Sequence, residues 1–592
     1  MSVQQVITEH LDLWTDAVEY KKGGRGGSAR VELTGIKKLR ELILELAVRG
    51  KLVEQDPDEE PASALLDRIT DEKTRLIKEG TIKKPKKLPE IATEDLPAQL
   101  PKGWSAVTLS HLGDFFGGKT PSKSKSEYWN GDIPWVTPKD MRVSEVTNTE
   151  DHVTEMATNS GGLEVLPQET VLFVVRSGIL RRMFPTAITR TECTINQDLK
   201  ALRLFMPEMA RYIQIMSRGH EAFILSRLVK TGTTVESLKF KDFASQPFPL
   251  PPLAEQHRIV EKVDELMVLC DRLEQQVGNQ IEAHEVLVDT LLDALTRSAD
   301  APELAENWAR VAEHFDTLFT TEAAIDKLEQ AILQLAVMGR LVAQDANDEP
   351  ANVLLDRIAE EKARLVKKGK IRKPKAISGI QADDPPFKIP KNWAWCRLDS
   401  LALHSESGWS PQCKSTSRSG SEWGVLKVSA VSWGSFRAEE NKALPDSLTP
   451  RYELEVKPND FLLSRANTAD LVARSVVVPD SAPRHLMMSD KIVRFVFSRQ
   501  MSASFVNLFN NCKTARDYYS RVAGGTSSSM KNVSRKHIQE LLIPLPPARE
   551  QHRIVEKVDE LVSLCDRLRE RLNEASDTRR QLAEAVVEEA VN

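Results

Sequence analysis

The chain contains two matched frames. Residues 36–91 align without a gap to residues 325–380 at an offset of 289, and 32 of the 56 positions are identical. Residues 248–274 align to 543–569 at an offset of 295, with 21 of 27 identical, and the segment Glu255–Leu266 recurs unchanged as Glu550–Leu561. Between these blocks lie two stretches, 102–247 and 391–542, that hardly resemble each other. Matched frames holding unmatched inserts describe one scaffold that presents two different surfaces. Such a chain is expected to read two different things at a fixed separation.

At 592 residues the chain is too long for one core and is expected to form three to five units. No apolar run approaches the roughly 18–20 residues that cross a bilayer, so no membrane span is expected. The first ten residues lack the basic start and apolar stretch of a signal peptide. Six cysteines stand singly at 193, 270, 396, 413, 512 and 565. Without a CxxC pair they argue against a zinc site or disulfide framework and fit a reducing cytoplasm.

Net charge is −5, which on its face opposes nucleic-acid binding. Its distribution reverses that impression. Residues 392–542 carry 20 Lys+Arg against 14 Asp+Glu, or +6, and residues 103–247 carry 17 against 16, or +1, leaving −12 on the rest. Acid sits on the frames and base is concentrated in the inserts.

The frames read as helices. After Pro251 and Pro252, a 4-3-4-3 spacing runs through Ile259, Val263, Leu266, Cys270, Leu273, Val277, Gln280, His284, Leu287 and Leu291. Its copy runs through Ile554, Val558, Leu561, Cys565, Leu568, Leu572, Ala575, Arg579, Leu582 and Val586. Spacing near 3.5 over four to five heptads predicts coiled-coil helices, each on the order of 60 Å long. Being copies within one chain, they are expected to pair antiparallel about a pseudo-twofold axis. Gln280, His284 and Arg579 fall mid-seam, where buried polar groups can fix register. His284 reads as a solvated seam histidine rather than a ligand. In the other repeated block, Ile36, Leu39, Leu42, Ile43, Leu46 and Ala47 form one stripe closed by Gly50. A second helix passes through Leu65, Leu66, Ile69, Leu76 and Ile77, and the stretches Lys83–Lys87 and Arg372–Lys375 read as linkers.

The inserts are rich in Trp, Gly, Pro and Ser, with strands predicted at Val171–Val175, Phe461–Leu463, Ser475–Val478 and Ile492–Phe497. Both open on Pro-Lys-Gly/Asn-Trp (Trp104, Trp393) and close on Gly-Thr before Pro-Leu-Pro-Pro. A shared fold with different surfaces follows. The fold class is α+β: two α/β inserts separated by long helices that form an antiparallel coiled coil. The expected organisation is a mobile N-terminal tail 1–30, a helical frame 31–100 and a first reading domain 101–250. A central region 251–385 follows, with its long helix at 251–298 and the second helical copy. A second reading domain 386–545 and a C-terminal helix 546–592 complete the chain.

Three enzyme signatures fail in context. Gly113–Thr120 matches GxxxxGK[ST], but Pro121 and a Ser/Lys run follow where a phosphate loop opens a helix. Asp384-Pro385-Pro386-Phe387 matches an amino-methyltransferase tetrapeptide, yet it follows polar residues in a linker. Asp58 with Asp71 and Lys73 mimics a nuclease pattern, but the residues sit in a turn and a helix. No complete active site is expected.

Duplex reading needs Arg and Lys for guanine edges, Asn and Gln for adenine edges, and Ser, Thr and backbone N–H for phosphates. The first insert offers Lys119, Thr120, Ser122, Lys123, Lys139, Arg176, Ser177, Arg181, Thr233 and Thr234. The second offers Gln412, Lys414, Lys427, Ser464, Arg465, Asn467, Arg474, Thr526 and Ser527. Such loops recur at matching ends of both inserts.

Leu44–Val53, Glu60–Ile69, Leu100–Trp104, Pro249–Gln256 and Gly117–Ser122 with Ile133-Pro134-Trp135 resemble the specificity subunit of a type I restriction-modification system. The resemblance covers nearly the whole chain from about residue 30. It implies two target-recognition domains on double-stranded DNA and two adenine-methyltransferase subunits as partners. Two restriction-translocase subunits can join that core. It also implies a bacterial or archaeal cytoplasmic location. No cofactor is expected on this chain, and S-adenosylmethionine belongs to the methyltransferase partner. Each insert would read one half of a split site while the helices set the gap. The rival reading is a structural coiled-coil adaptor without sequence-dependent DNA binding.

Overall fold

The computed structural model describes residues 9–21, 30–82, 96, 99–232, 235–373, 379–381, 384–432, 434–525 and 530–591. The chain divides into two units, residues 1–280 with 575–592 and residues 281–574. Six frame helices organise them: α1 (Thr34–Val48), α2 (Ala62–Lys78), α3 (Leu253–Arg297), α4 (Glu322–Val337), α5 (Ala351–Lys367) and α6 (Ala548–Val591). Each long helix, α3 and α6, gives one end to each unit. Among the described residues no helix is long and apolar enough to cross a membrane.

In the first unit the repeated motifs meet in one socket. The predicted stripe of α1 is buried from Ile36 to Ala47. Gly50 then turns the chain with φ of +67°, and a Cβ there would lie 2.7 Å from Pro101 and 3.1 Å from the Trp104 ring. Only glycine meets both demands. The N–H of the buried Ala62, which has no acceptor within the first turn of α2, donates to Gly103 O at 2.9 Å. Trp104 is buried, and its Nε1–H donates to Glu255 Oε2 on α3 at 2.9 Å. Arg258, one turn on, pairs with Glu59 in the turn before α2.

The second unit repeats the socket residue for residue. Gly339 has φ of +72°, with Pro390 and the Trp393 ring against it. Ala351 N–H donates to Asn392 O at 2.9 Å, and Trp393 Nε1–H donates to Glu550 Oε2 at 3.0 Å. Arg553 pairs with Asp348 at 2.6 Å. In this unit α4, α5, the end of α3 (Val288, Leu292, Leu295), the start of α6 (Ile554, Val558, Cys565) and the main sheet of the insert share one apolar core.

Each insert leaves and rejoins its frame through two paired strands. Ser105–Thr108 runs antiparallel to Pro247–Leu250, and Ala394–Arg397 to Leu542–Leu545 in the same register. Past this doorway both inserts carry the same strand order. In the first it is 113–117, 199–204, 171–174, 186–189, with Glu145–Val146 added parallel at the edge. In the second it is 402–407, 492–497, 461–464, 475–477. Neighbours in this shared order are antiparallel, and the four predicted strands fall within it. In the first insert the helix Ala210–Gly219 packs against α1. A Cβ on Gly219 would sit 2.5 Å from Val48, so the close crossing needs glycine there.

Two expectations are corrected. The described part of the N-terminus is packed, not a mobile tail. Trp14, on the short helix Leu11–Asp16, is fully buried, Gly35 N–H donates to Ala17 O, and Ser576 of α6 donates to Val18 O. The apolar area of one tryptophan outweighs the glycine-rich stretch that suggested a tail. The heptad seam also breaks. Burial follows Ile259, Val263, Leu266, Cys270, Leu273 and Val277, then steps to Val288, Leu292 and Leu295, leaving Leu287 half exposed. In α6 it steps from Leu572 to Ala583, leaving Leu582 exposed. The eleven-residue step falls at the same repeat position in both helices. A straight helix drifts about 20° per heptad, and eleven residues bring the stripe back. Gln280 and Arg579 are exposed and fix no register, while His284 hydrogen-bonds Thr317 O at 3.1 Å.

Burial pushes the Glu255 and Glu550 carboxyls above their usual range, only partly opposed by the tryptophan N–H groups. Their protonated form is favoured in the fold, so stability is full below the ordinary glutamate pKa and declines as pH rises through the raised one. Glu255→Gln with Glu550→Gln keeps an acceptor for each tryptophan and should flatten that decline in thermal melts from pH 4 to 8. Glu255→Ala strands the Trp104 donor and should cost about 1–3 kcal/mol by denaturant titration.

Candidate nucleic-acid interface

Six of the sequence-predicted residues of the first insert, Lys119, Thr120, Ser122, Lys123, Arg176 and Ser177, lie on one set of adjoining loops. After the strand Gly113–Gly117 the chain runs without helix through Lys119, Thr120, Ser122 and Lys123. There is no helix N-terminus for a phosphate loop. Lys119 N–H donates to Ile195 O at 3.0 Å, and its carbonyl accepts from Trp135 Nε1 at 3.1 Å. Thr120 donates to Gln197. Ser122 and Ser124 share a hydrogen bond of 2.8 Å. The strand Val171–Val174 ends beside this loop: Arg176 N–H reaches Asp198 O, Ser177 N–H reaches Glu236 O, and Ser177 caps the short turn Gly178–Arg181. The Lys119 and Lys123 ammonium groups and the Arg176 guanidinium have no carboxylate within ion-pair distance among the described residues.

Two first-insert choices are otherwise engaged. Arg181 is hydrogen-bonded to the buried Glu236, whose carboxyl it holds below the usual range. Lys139 faces Glu150 at 4.0 Å. Thr233 and Thr234 lie outside the described residues, as do Thr526 and Ser527 of the second insert.

In the second insert Gln412 is exposed, while Lys414 lies between Glu422 and Asp446, and Lys427 lies 3.4 Å from Glu440. Ser464 is fully buried and its hydroxyl donates to Leu471 O, so it holds the loop and cannot reach a groove. Asn467 donates to Ser432 Oγ at 2.8 Å. Arg465 and Arg474 have a different setting. The strand Ala466–Asn467 pairs with Lys531–Asn532, and Val533 N–H donates to Arg465 O at 2.9 Å. The first insert has the same joint, Leu238 N–H on Val175 O at 2.8 Å.

Around that joint stand four half-buried guanidiniums, two of which the sequence reading missed. Arg516, on the helix Lys513–Val522, donates to the carbonyls of Asp470 and Val472. Arg535 donates to Ser405 O and Ser407 Oγ. Burial, with Arg474 nearby, lowers Arg516 to about 10. Burial lowers Arg474, and burial with Arg465 nearby lowers Arg535. None of the four has an ion pair among the described residues. Arg516 Nη1 and Arg465 Nε are buried donors without partners among the described residues. Desolvated cations with idle donors are unfavourable alone and are satisfied by an oxygen-rich anion such as a phosphodiester. By contrast Arg494, also buried, is balanced by Glu406 and Asp460 at 2.7 Å each and is structural.

The remaining motifs stay bland in three dimensions. Asp384 accepts from Gln381 N–H in irregular chain, Asp58 sits in a turn, and Asp71 and Lys73 lie on α2. No group of three or more His, Cys, Asp or Glu that could hold a metal occurs among the described residues.

A sequence model described as the type I restriction modification DNA specificity domain matches residues 101–283 and 486–575. The chain is 39% identical over 604 residues to the type I restriction enzyme EcoEI specificity subunit of Escherichia coli, covering all of both. It is 36% identical over 612 residues to the EcoAI specificity subunit of the same organism, again covering all of both.

Arg465→Ala and Arg516→Ala should each weaken binding of duplex DNA about tenfold and lower the salt dependence by about one unit of slope. Lys414→Ala should change neither, since its ammonium is already neutralised. Fluorescence titrations at several salt concentrations check all three.

Proposed function

This chain belongs to the family of type I restriction enzyme specificity subunits, and we propose that its two inserts each read one half of a split DNA site. The observation that carries this reading is the set of uncompensated guanidiniums around Arg465 in the second insert, at a joint that the first insert repeats beside Arg176. Phosphate contacts there would fix register, while Gln412, Asn467 and the 118–123 loop face base edges. The lower net charge of the first insert gives it the smaller share of the affinity.

The frames act as the ruler and the dock. The long helices α3 and α6 pair antiparallel in this reading and hold the two readers about one helical turn of DNA apart. Two adenine-methyltransferase subunits bind the frames in pseudo-twofold fashion, carry S-adenosylmethionine and flip the target adenine from the stack. Restriction-translocase subunits join that core, and the complex works in the cytoplasm. The chain itself performs no catalysis, in keeping with a Lys119 loop that opens no helix and an Asp384 that ends no strand.

Exchange of residues 391–542 for a relative's insert should change one half of the methylated motif and leave the other intact. Methylome sequencing of cells that also express the cognate methyltransferase subunit reads this directly. A change in both halves, or in neither, would sink the two-reader proposal.

A further inference from the structure

The two frames grip their long helices with ion pairs of opposite polarity. In the first unit Arg40 of α1 reaches Asp271 and Glu274 of α3, both at 2.7 Å. In the second, Arg569 of α6 reaches Asp326 of α4 at 2.8 Å and Glu329 at 2.6 Å. By the repeat offsets Arg40 corresponds to Glu329, Lys37 to Asp326, and Glu274 to Arg569. Base lies on the short helix and acid on the long one in the first unit, and the reverse holds in the second. Arg40 and Glu274 have changed sign together, whereas Asp271 is kept as Asp566, which binds Arg569 of its own helix at 2.8 Å.

The apolar residues beside these charges have not changed. Leu39 and Ile43 of α1 recur as Leu328 and Ile332 of α4, and Leu266 and Cys270 of α3 recur as Leu561 and Cys565 of α6. All are buried except Leu561, which is partly so. Within the α1 stripe Leu42 alone differs, recurring as Ala331, and the shared residues fit either partner, so their contact cannot tell one copy from the other. The rim charges can. Placed on α6, α1 would set Arg40 against Arg569, with Asp566, the counterpart of Asp271, already engaged by Arg569. Placed on α3, α4 would set Asp326 and Glu329 against Asp271 and Glu274, with no base among the four.

We propose that this reversed charge pair is an address code, by which each short frame helix accepts its own long helix and rejects the equivalent helix of the other repeat. The code excludes exchange within the chain, and equally with a second copy of the chain, whose frames expose the same apolar faces while folding. Exposed ion pairs add little to stability, so strengthening each unit does not account for a coordinated reversal. Discrimination between two otherwise equal partners does, because repulsion in the wrong pairing counts as much as attraction in the right one.

The test uses two differently tagged full-length copies, expressed together and recovered at low salt. Wild type should give background mixed-tag pairs. The variant K37D/R40E/E274R writes the second unit's code into the first. Its ion pair is kept, so its thermal midpoint should match wild type while mixed-tag pairs rise several-fold. Adding D326K/E329R/R569E exchanges the codes completely, makes them different again, and should return mixed-tag pairs to background. Recovery that is the same in wild type and the triple variant overturns the proposal. So does equal high recovery from triple and sextuple variants, which would trace association to damaged folding instead of matched codes.

Discussion

A buried tryptophan N–H that must find an acceptor fixes the layout of each frame. Trp104 and Trp393 stand where the chain leaves a frame for an insert, and their N–H groups donate to Glu255 and Glu550, where it returns. Joining them ties the two ends of an insert of about 150 residues to one point on a long helix. Gly50 and Gly339 are there so that the ring can approach, and the strand pair past the socket starts in register because both its ends are held. The insert beyond can then change sequence without altering the frame. That is the physical basis for two dissimilar inserts on two similar scaffolds.

The sequence showed the frames more fully than the inserts. Identity between copies exposed the socket residues before any contact was known, and short runs such as Ile492–Phe497 revealed the strands. The eleven-residue step was hidden because the exposed Leu287 and Leu582 continue the heptad pattern, while their buried neighbours Val288 and Ala583 fall outside it. Trp14 was hidden because one aromatic in a polar stretch carries no periodicity. Among the reading residues, charge alone could not say which cations were spoken for. Arg181 meets Glu236 across 55 residues, and Lys414 meets Asp446 across a hairpin, so both partners are fixed by tertiary folding. Arg516 and Arg535 were missed for the converse reason. They lie on helices, far in sequence from the loop they join.

The buried arginines of the second insert differ in kind. Arg494 is enclosed with two carboxylates and fastens a sheet, whereas Arg465, Arg474, Arg516 and Arg535 are enclosed with carbonyls and with one another. The first arrangement is complete without a ligand. The second stores unfavourable electrostatic energy in the free protein, and an anion that relieves it binds more tightly for that reason. The pairing of partners, more than the number of basic residues, separates a structural arginine from a reading one here.

The shared step from Val277 to Val288 and from Leu572 to Ala583 restricts how these helices can change length. Each added residue turns the helix by about 100°, so four residues rotate the buried stripe by about +40°, seven by about −20° and eleven by about +20°. One, two or five would carry it to the solvent side. Insertions compatible with burial therefore come in units of roughly 6, 10 and 16 Å of rise, and under the proposed pairing the other long helix must change by the same unit to stay in phase. A length set in this way varies by increments, much as a ratchet has teeth.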